Sequence, residues 1–410
     1  MLLNRLWIGL FVSSLLVGGF KLIIYGDTMV FKEMVTALFE SAKLAFEIAL
    51  FLTGALCLWM GLMQIGEKGG AVRILTRWVS PLFGKLFPGV PRDHPAVGSM
   101  MMNFSANMLG LDNAATPLGL KAMGQLQELN PNKKEASDAQ IMFLVLNTSG
   151  LTVIPVSILA YRASYGSSSP SEVFLPILFS TYFASMVGLI AVALKQKINL
   201  LNKTILSYLG IATALIVGLL IFLIYQPEQV EIVSNVGGNL LLFLVVIAFI
   251  VLGVRKKINV YEAFIEGAKG GFDVAIKIVP YLVAILVAIG VFKACGALEL
   301  LFEGLKYVLI QVGVTTLDFI EALPTAFMKP FSGGAARGMM IQAFETYGVD
   351  SFIGKLTATF QGSTETTFYV LAVYFGSVGI KRTRYAAGYG LLADLAGIIA
   401  AIVIAYIFYK

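Results

Sequence analysis

Glu365 stands in an otherwise apolar stretch, inside Gln361-Gly362-Ser363-Thr364-Glu365-Thr366-Thr367. A charge at the centre of a bilayer costs about 2.5–3.5 kcal/mol on insertion scales, so an acid placed there tends to face a pathway. It could carry a proton, ligate a cation or accept a hydrogen bond from a polar solute. The plainer alternative is a structural carboxylate paired with Lys329 or Arg337. A second polar cluster, Asn147-Thr148-Ser149-Gly150-Leu151-Thr152, precedes Pro155, and Gly150 and Pro155 are both able to break a helix. A broken helix exposes N–H groups that attract anions. It also frees carbonyls that, with Asn, Ser and Thr oxygens, can coordinate Na⁺. Asn147, Thr148 and Ser149 are therefore the candidate Na⁺ position, with interhelical hydrogen bonding as the plainer role.

Two more clusters lie in stretches too interrupted to be simple spans. Residues 95–128 contain Asn103, Ser105, Asn107, Asp112, Asn113 and Thr116, and residues 316–346 contain Lys329, Ser332 and Arg337 around Pro330 and Gly333-Gly334. Apolar flanks with a polar or Gly/Pro tip suggest re-entrant hairpins, which are tolerated only where protein or water covers the open backbone. Asp112-Asn113 is also an ordinary turn pair. Lys329 and Arg337 either bind an anion or border the headgroups.

These clusters need a membrane around them, and composition supplies it. Of 410 residues, 58% are hydrophobic and 13% charged, with mean hydropathy +0.84. A soluble chain carries roughly twice that share of charge. The net charge of +6 belongs to cytoplasmic loops and not to a nucleic-acid surface. Cys57 and Cys295 lie in or beside apolar segments with no CxxC, as packing residues do, and the single His94 sits in a Pro-flanked turn. No nucleophile–base pair and no GxxxxGK[ST] loop is present, so no enzyme activity is expected and no resident cofactor is implied.

Apolar runs occur near 6–25, 45–65, 138–161, 173–194, 204–225, 238–254, 273–293, 352–376 and 385–408. The first, after Asn4-Arg5, is too long for a leader and reads as a retained span. With both hairpins returning to their own side, these nine crossings gather the basic clusters Lys68 to Arg92, Lys133-Lys134, Lys195 to Lys203, Arg255-Lys256-Lys257 and Lys381 to Arg384 on one face. The acidic 226–231 loop and Ser167-Ser168-Ser169 fall on the other. The positive-inside rule then puts the N-terminus in the cytoplasm and the C-terminus outside, in a bacterial inner membrane.

The chain also nearly repeats itself. Residues 39–49 have a counterpart in 265–275, and the polar breaks at 147–152 and 361–366 follow in the same order. Five crossings separate the copies, an odd number, so they run through the membrane in opposite senses as inverted repeats. Residues 31–43 and 259–271, just before corresponding spans, have the look of amphipathic surface helices.

The run from Asn103-Phe104-Ser105-Ala106-Asn107 through Leu111-Asp112-Asn113 to Pro117-Leu118-Gly119 closely resembles the signature of spore maturation protein A. Pro324-Thr325-Ala326, Phe331-Ser332-Gly333-Gly334-Ala335-Ala336-Arg337-Gly338 and Gly362-Ser363-Thr364-Glu365-Thr366-Thr367 resemble spore maturation protein B. The chain looks like a fusion of the two, each half carrying a nucleoside recognition or Gate domain of the kind shared with concentrative nucleoside transporters. The resemblance implies an all-α polytopic fold of inverted repeats with two re-entrant hairpins and about nine spans. Residues 1–28 form a first span, 29–200 the A-like repeat, 201–258 connecting spans and 259–410 the B-like repeat. It implies substrate contacts at Asn103, Ser105, Asn107 and Asn147 on one side and Ser332, Gln361, Ser363, Glu365 and Thr366 on the other.

The leading expectation is a secondary transporter of a small polar or anionic solute, nucleoside-like or carboxylate, coupled to Na⁺ or H⁺. A non-transporting membrane scaffold for envelope or spore maturation is the alternative. An iron permease lacks the Cys/His/Met constellation it would need. The partners are membrane lipid and a small-molecule solute, without nucleic acid, and self-association into a homo-oligomer stays open.

Overall fold

The computed structural model describes the whole chain except residues 1, 109–111, 154, 227–235, 237, 312 and 314–315. The expected Gly110-Leu111 tip and most of the acidic 226–231 loop thus lie outside the described residues. Among those described, the chain is helical, with one isolated bridge between Glu135 and Arg382. In chain order the helices are α1 (Leu2–Tyr25), α2 (Val30–Gly69), α3 (Ala71–Leu86), α4 (Pro95–Met108), α5 (Asp112–Leu129), α6 (Asp138–Thr148) and α7 (Val156–Ser164). They continue with α8 (Phe174–Lys195), α9 (Lys203–Tyr225), α10 (Gly238–Arg255), α11 (Val260–Ala294), α12 (Ala297–Gln311) and α13 (Leu323–Met328). The last are α14 (Gly333–Tyr347), α15 (Phe352–Ser363), α16 (Thr367–Val370) and α17 (Ala386–Tyr409).

Four described stretches are long and apolar enough to cross a membrane: Trp7–Tyr25, Pro170–Lys195, Lys203–Leu223 and Ala386–Tyr409. With outward apolar side chains such as Leu15, Ile23 and Leu215, this is a membrane protein. Two of the expected spans are not single helices. Residues 138–161 divide into α6 and α7, and 352–376 into α15, α16 and a π turn at Leu371–Phe375.

The segments 31–43 and 259–271 also differ from expectation. Neither is a separate surface helix. Each runs without a break into the apolar segment behind it, in α2 of 40 residues and α11 of 35 residues. No cap ends either stretch, and α11 carries on past both Gly270-Gly271 and Pro280. The two long helices lie antiparallel. Ser41 abuts Gly290, Met60 and Gly61 abut Gly267, and Gln64 Nε2 donates to Glu266 Oε1 at 3.1 Å, while Lys68 pairs with the same carboxylate. A Cβ at Gly61 would stand 2.9 Å from the Phe264 carbonyl oxygen, so the approach needs glycine there.

A core of Met100, Met123, Phe143, Val145 and Tyr374 fills the space between α4, α5, α6 and the π turn. A second, of Ile158, Ile177, Leu286, Met340 and Ala358, joins α7, α8, α11, α14 and α15. His94 plays the turn role expected of it: its Nδ1 accepts from Ala96 N–H at the start of α4. Cys295 is buried, with its thiol donating to the Phe292 carbonyl.

Arg162, at the end of α7, is fully buried and clamps two loops together. It donates to the carbonyls of Pro170, Ser169 and Val349 and to Ser167 Oγ, and meets Asp350 Oδ1 at 2.8 Å. Burial works against the Asp350 charge. Hydrogen bonds from the Ser167 hydroxyl and from the Ser168 N–H and hydroxyl, with the Arg162 charge, nevertheless pull its carboxyl down to about 2. Arg162→Met is expected to lower thermal stability in detergent by about 1–3 kcal/mol through the orphaned carbonyls. A depressed carboxyl stabilises the fold above its unfolded pKa, near 4, and the contribution disappears as pH falls toward 2. The stability difference between wild type and Asp350→Asn should therefore be full at neutral pH and shrink across that window. A constant difference would contradict it.

Candidate functional site

The first interruption follows from its residues. Ser137 and Gln140 form a reciprocal cap that starts α6. The helix closes at Thr148, Gly150 takes φ +39°, and Pro155, which has no N–H to offer, stands just before α7. The second interruption has the extended Thr364 at the end of α15 and resumes at Thr367. The two meet. Glu365 N–H donates to the Thr148 carbonyl at 2.7 Å, and a Cβ at Gly150 would stand 2.8 Å from Glu365 Cγ. Each is also tied to the interrupted segment preceding it in the chain. Val153 N–H reaches the Met108 carbonyl at 2.7 Å, and Phe368 N–H reaches the Pro330 carbonyl at 2.9 Å.

The side chains add a polar network around this backbone. Asn107 Nδ2 donates to Asn147 Oδ1 at 2.8 Å, and Asn147 Nδ2 donates to the Phe143 carbonyl. Asn103 Nδ2 donates to the Ala115 carbonyl, linking α4 to α5, and to Tyr374 Oη of the second half at 3.2 Å. On the other side Ser332 caps α14 through Ala335 N–H. Gln361 Nε2 reaches the Gly333 carbonyl only at 3.5 Å, and a Cβ on Gly333 would meet Thr366 Oγ1. Asn103, Asn107, Asn147, Gln361, Ser363 and Thr366 are buried, and Glu365 is half-buried. Ser105 and Ser363 each spend the hydroxyl proton on a carbonyl of their own helix, Met101 and Phe360. Thr148 and Ser149 do the same with Val145 and Leu146. The oxygens proposed for Na⁺ already accept from Asn107, Glu365 and Ser185, at Asn147 Oδ1 and the Thr148 and Ser149 carbonyls, which keeps one lone pair on each.

Two residues that sequence reasoning passed over, Asp394 and Tyr374, belong here. Asp394 lies on α17 and is 1% exposed, and its Oδ2 accepts from Thr367 Oγ1 at 2.6 Å. The signal was available, because Asp394 is the one charged side chain between Ala386 and Tyr409. Gly390, Ala393 and Gly397 flank it and bring α17 against Thr367, Gly188 and Thr364. Lys329, judged ambiguous from sequence, is buried and within electrostatic reach of Asp394. Tyr374 and Arg162 had no pattern to announce them, since their positions depend on the π turn and on the meeting of two distant loops.

Asn103 Oδ1, Gln361 Oε1, Thr364 Oγ1 and Asp394 Oδ1 are buried without a hydrogen-bond partner. Each of these oxygens keeps the capacity to accept a further hydrogen bond. Among the described residues no group of three or more His, Cys, Asp and Glu is arranged to hold a metal ion.

Known proteins resemble this arrangement in sequence. A family described as nucleoside recognition, the Gate domain, matches residues 49–165. Spore maturation protein B of Bacillus subtilis (strain 168) is 48% identical over 161 residues, which is 39% of this chain and 88% of that protein. Spore maturation protein A of the same organism is 39% identical over 189 residues, 46% of this chain and 93% of that protein. Neither name is that of an enzyme.

Gly150→Val is expected to force the two interruptions apart, because the new side chain meets Glu365 and the residue must hold a positive φ. Glu365→Pro removes the N–H that the Thr148 carbonyl accepts, leaving that carbonyl unpaired at a cost of about 1–3 kcal/mol. Each variant should lower the melting temperature of the purified protein. Unchanged melting in both would mean that the interruptions do not support each other.

Proposed function

Because this chain belongs to the family of spore maturation proteins A and B and carries a nucleoside-recognition Gate domain, we propose that it is a secondary transporter of a small polar or anionic solute, nucleoside-like or a carboxylate. The first half, 29–200, is A-like and the second, 259–410, is B-like. The two are inverted repeats whose re-entrant hairpins, α4–α5 and α13–α14, alternate in exposing a shared site. The membrane is a bacterial inner membrane, with the N-terminus cytoplasmic and the C-terminus outside. The driving force is a cation gradient, with Asn147, Thr148 and Ser149 as the position for Na⁺ where that is the ion.

The observation that carries this reading is the Glu365 N–H to Thr148 carbonyl bond between two interrupted helices. Non-helical backbone at membrane depth is tolerated where it lines a cavity or is covered by protein, and transporters place their substrate at such breaks. The antiparallel course of α2 and α11 supports the inverted relation. The solute contacts are Asn103, Asn107, Asn147, Ser332, Gln361, Glu365 and Thr366. Ser105 and Ser363 contribute mainly by holding their helices.

The names of the relatives favour a second reading, a membrane scaffold for spore maturation that moves nothing. A thermal-shift screen of the purified full chain against nucleosides, dicarboxylates and amino acids, with and without Na⁺, separates the two. Transport predicts a rise in melting temperature with one solute class, lost in Glu365→Gln and Asn147→Ala. No rise with any of them favours the scaffold.

A further inference from the structure

We propose that the carboxyl group of Asp394 takes up and releases a coupling proton, and that Lys329, at the turn between α13 and α14, responds to its charge. This rests on the transport reading and names its ion and the group that carries it.

Asp394 is enclosed by α8, α15 and its own helix, with Thr367 donating to Oδ2. Oδ1 is buried and outside any other hydrogen bond, and the Thr364 hydroxyl beside the same carboxyl is the group placed to pair with it. A carboxylate only accepts, whereas a protonated carboxyl donates from one oxygen. The Thr364 hydroxyl can serve both states of the carboxyl, donating to an ionised Oδ1 and accepting from a protonated one, while Thr367 continues to serve Oδ2. The step balances simply: an O–H bond forms on Oδ1, and the same bond breaks when the proton leaves to water.

The surroundings limit what else could titrate with it. Lys329, 2% exposed, is the cation that acts on Asp394. The charged residues of α6, α8 and α15 are Asp138, Lys195 and Lys355, each in a terminal turn of its helix. Glu365, in the adjoining interruption, acts on Tyr374. While ionised, Asp394 attracts Lys329. Once it is neutral, the Lys329 ammonium and the N–H end of α14 at Ser332 and Gly333 are left facing an anionic group. Proton and anionic solute then favour the same state, and each strengthens the binding of the other.

The test is an infrared pH titration of the full chain in phosphatidylethanolamine–phosphatidylglycerol vesicles, without added solute. Wild type should show a protonated-carboxyl C=O band that titrates and is lost in Asp394→Asn. Lys329→Gln and Thr364→Val should each move the midpoint to higher pH, because each removes a group that favours the ionised carboxyl, and Thr364→Val should also raise the band frequency. A band unchanged in Asp394→Asn overturns the proposal. If that variant fails to insert, a midpoint unmoved in both Lys329→Gln and Thr364→Val overturns it equally. The titration needs no solute, so its failure with solute stabilisation intact counts against the proton site alone. An intact titration with no stabilising solute counts against transport alone.

Discussion

Every N–H and C=O buried in a membrane protein must find a partner without help from bulk water, and an interrupted helix multiplies the groups that need one. This chain meets that demand reciprocally. The carbonyl released at the end of α6 accepts from the N–H released after α15. Each interruption also sends an N–H to the interrupted segment preceding it, Val153 to Met108 and Phe368 to Pro330. Each break thus satisfies a backbone group of the other. The long antiparallel α2 and α11 matter for the same reason, since they set the relative position of the two halves.

Close approach is the second requirement, and small residues supply it. Gly188 on α8 and Gly390, Ala393 and Gly397 on α17 bring both helices against Thr148, Ser149, Thr364 and Thr367. A larger residue at Gly390 would meet Thr367, and one at Gly397 would meet Thr364. Packing in lipid gains little from hydrophobicity, so contact area and polar bonds between helices must do more of the work. The same closeness that stabilises the bundle shuts Asp394 away from solvent.

Much of this was legible in the chain. Pro155, Gly150 and the polar run 361–367 announced both interruptions because helix-breaking chemistry is local. The recurrence of 39–49 in 265–275 pointed to α2 and α11, although the start of each helix was misread as a separate surface segment. α11 runs on through Gly270-Gly271 and Pro280, so neither local breakers nor an amphipathic pattern reveals whether such a stretch ends or continues. Asp394 was equally readable as a lone acid in an apolar run, but Glu365 drew attention by lying in a repeated motif. The tie from Asn103 to Tyr374 and the clamp of Arg162 on Asp350 link residues 271 and 188 positions apart, and nothing local encodes such meetings.

The two interruptions are alike in having broken helices and unlike in charge. The first break surrounds itself with neutral amides and hydroxyls, Asn107, Asn147, Thr148 and Ser149, whose hydrogen bonds do not change with pH. The second gathers Glu365, Asp394 and Lys329, whose mutual energies change with every proton gained or lost. An amide network holds one geometry, because breaking Asn107–Asn147 strands two buried groups. A charged network in low dielectric has more than one arrangement of similar energy, since neutralising a single member rearranges the attraction among the rest. Under the proposed transport reading, the neutral break would hold the geometry of the site, and the charged break would set when it changes.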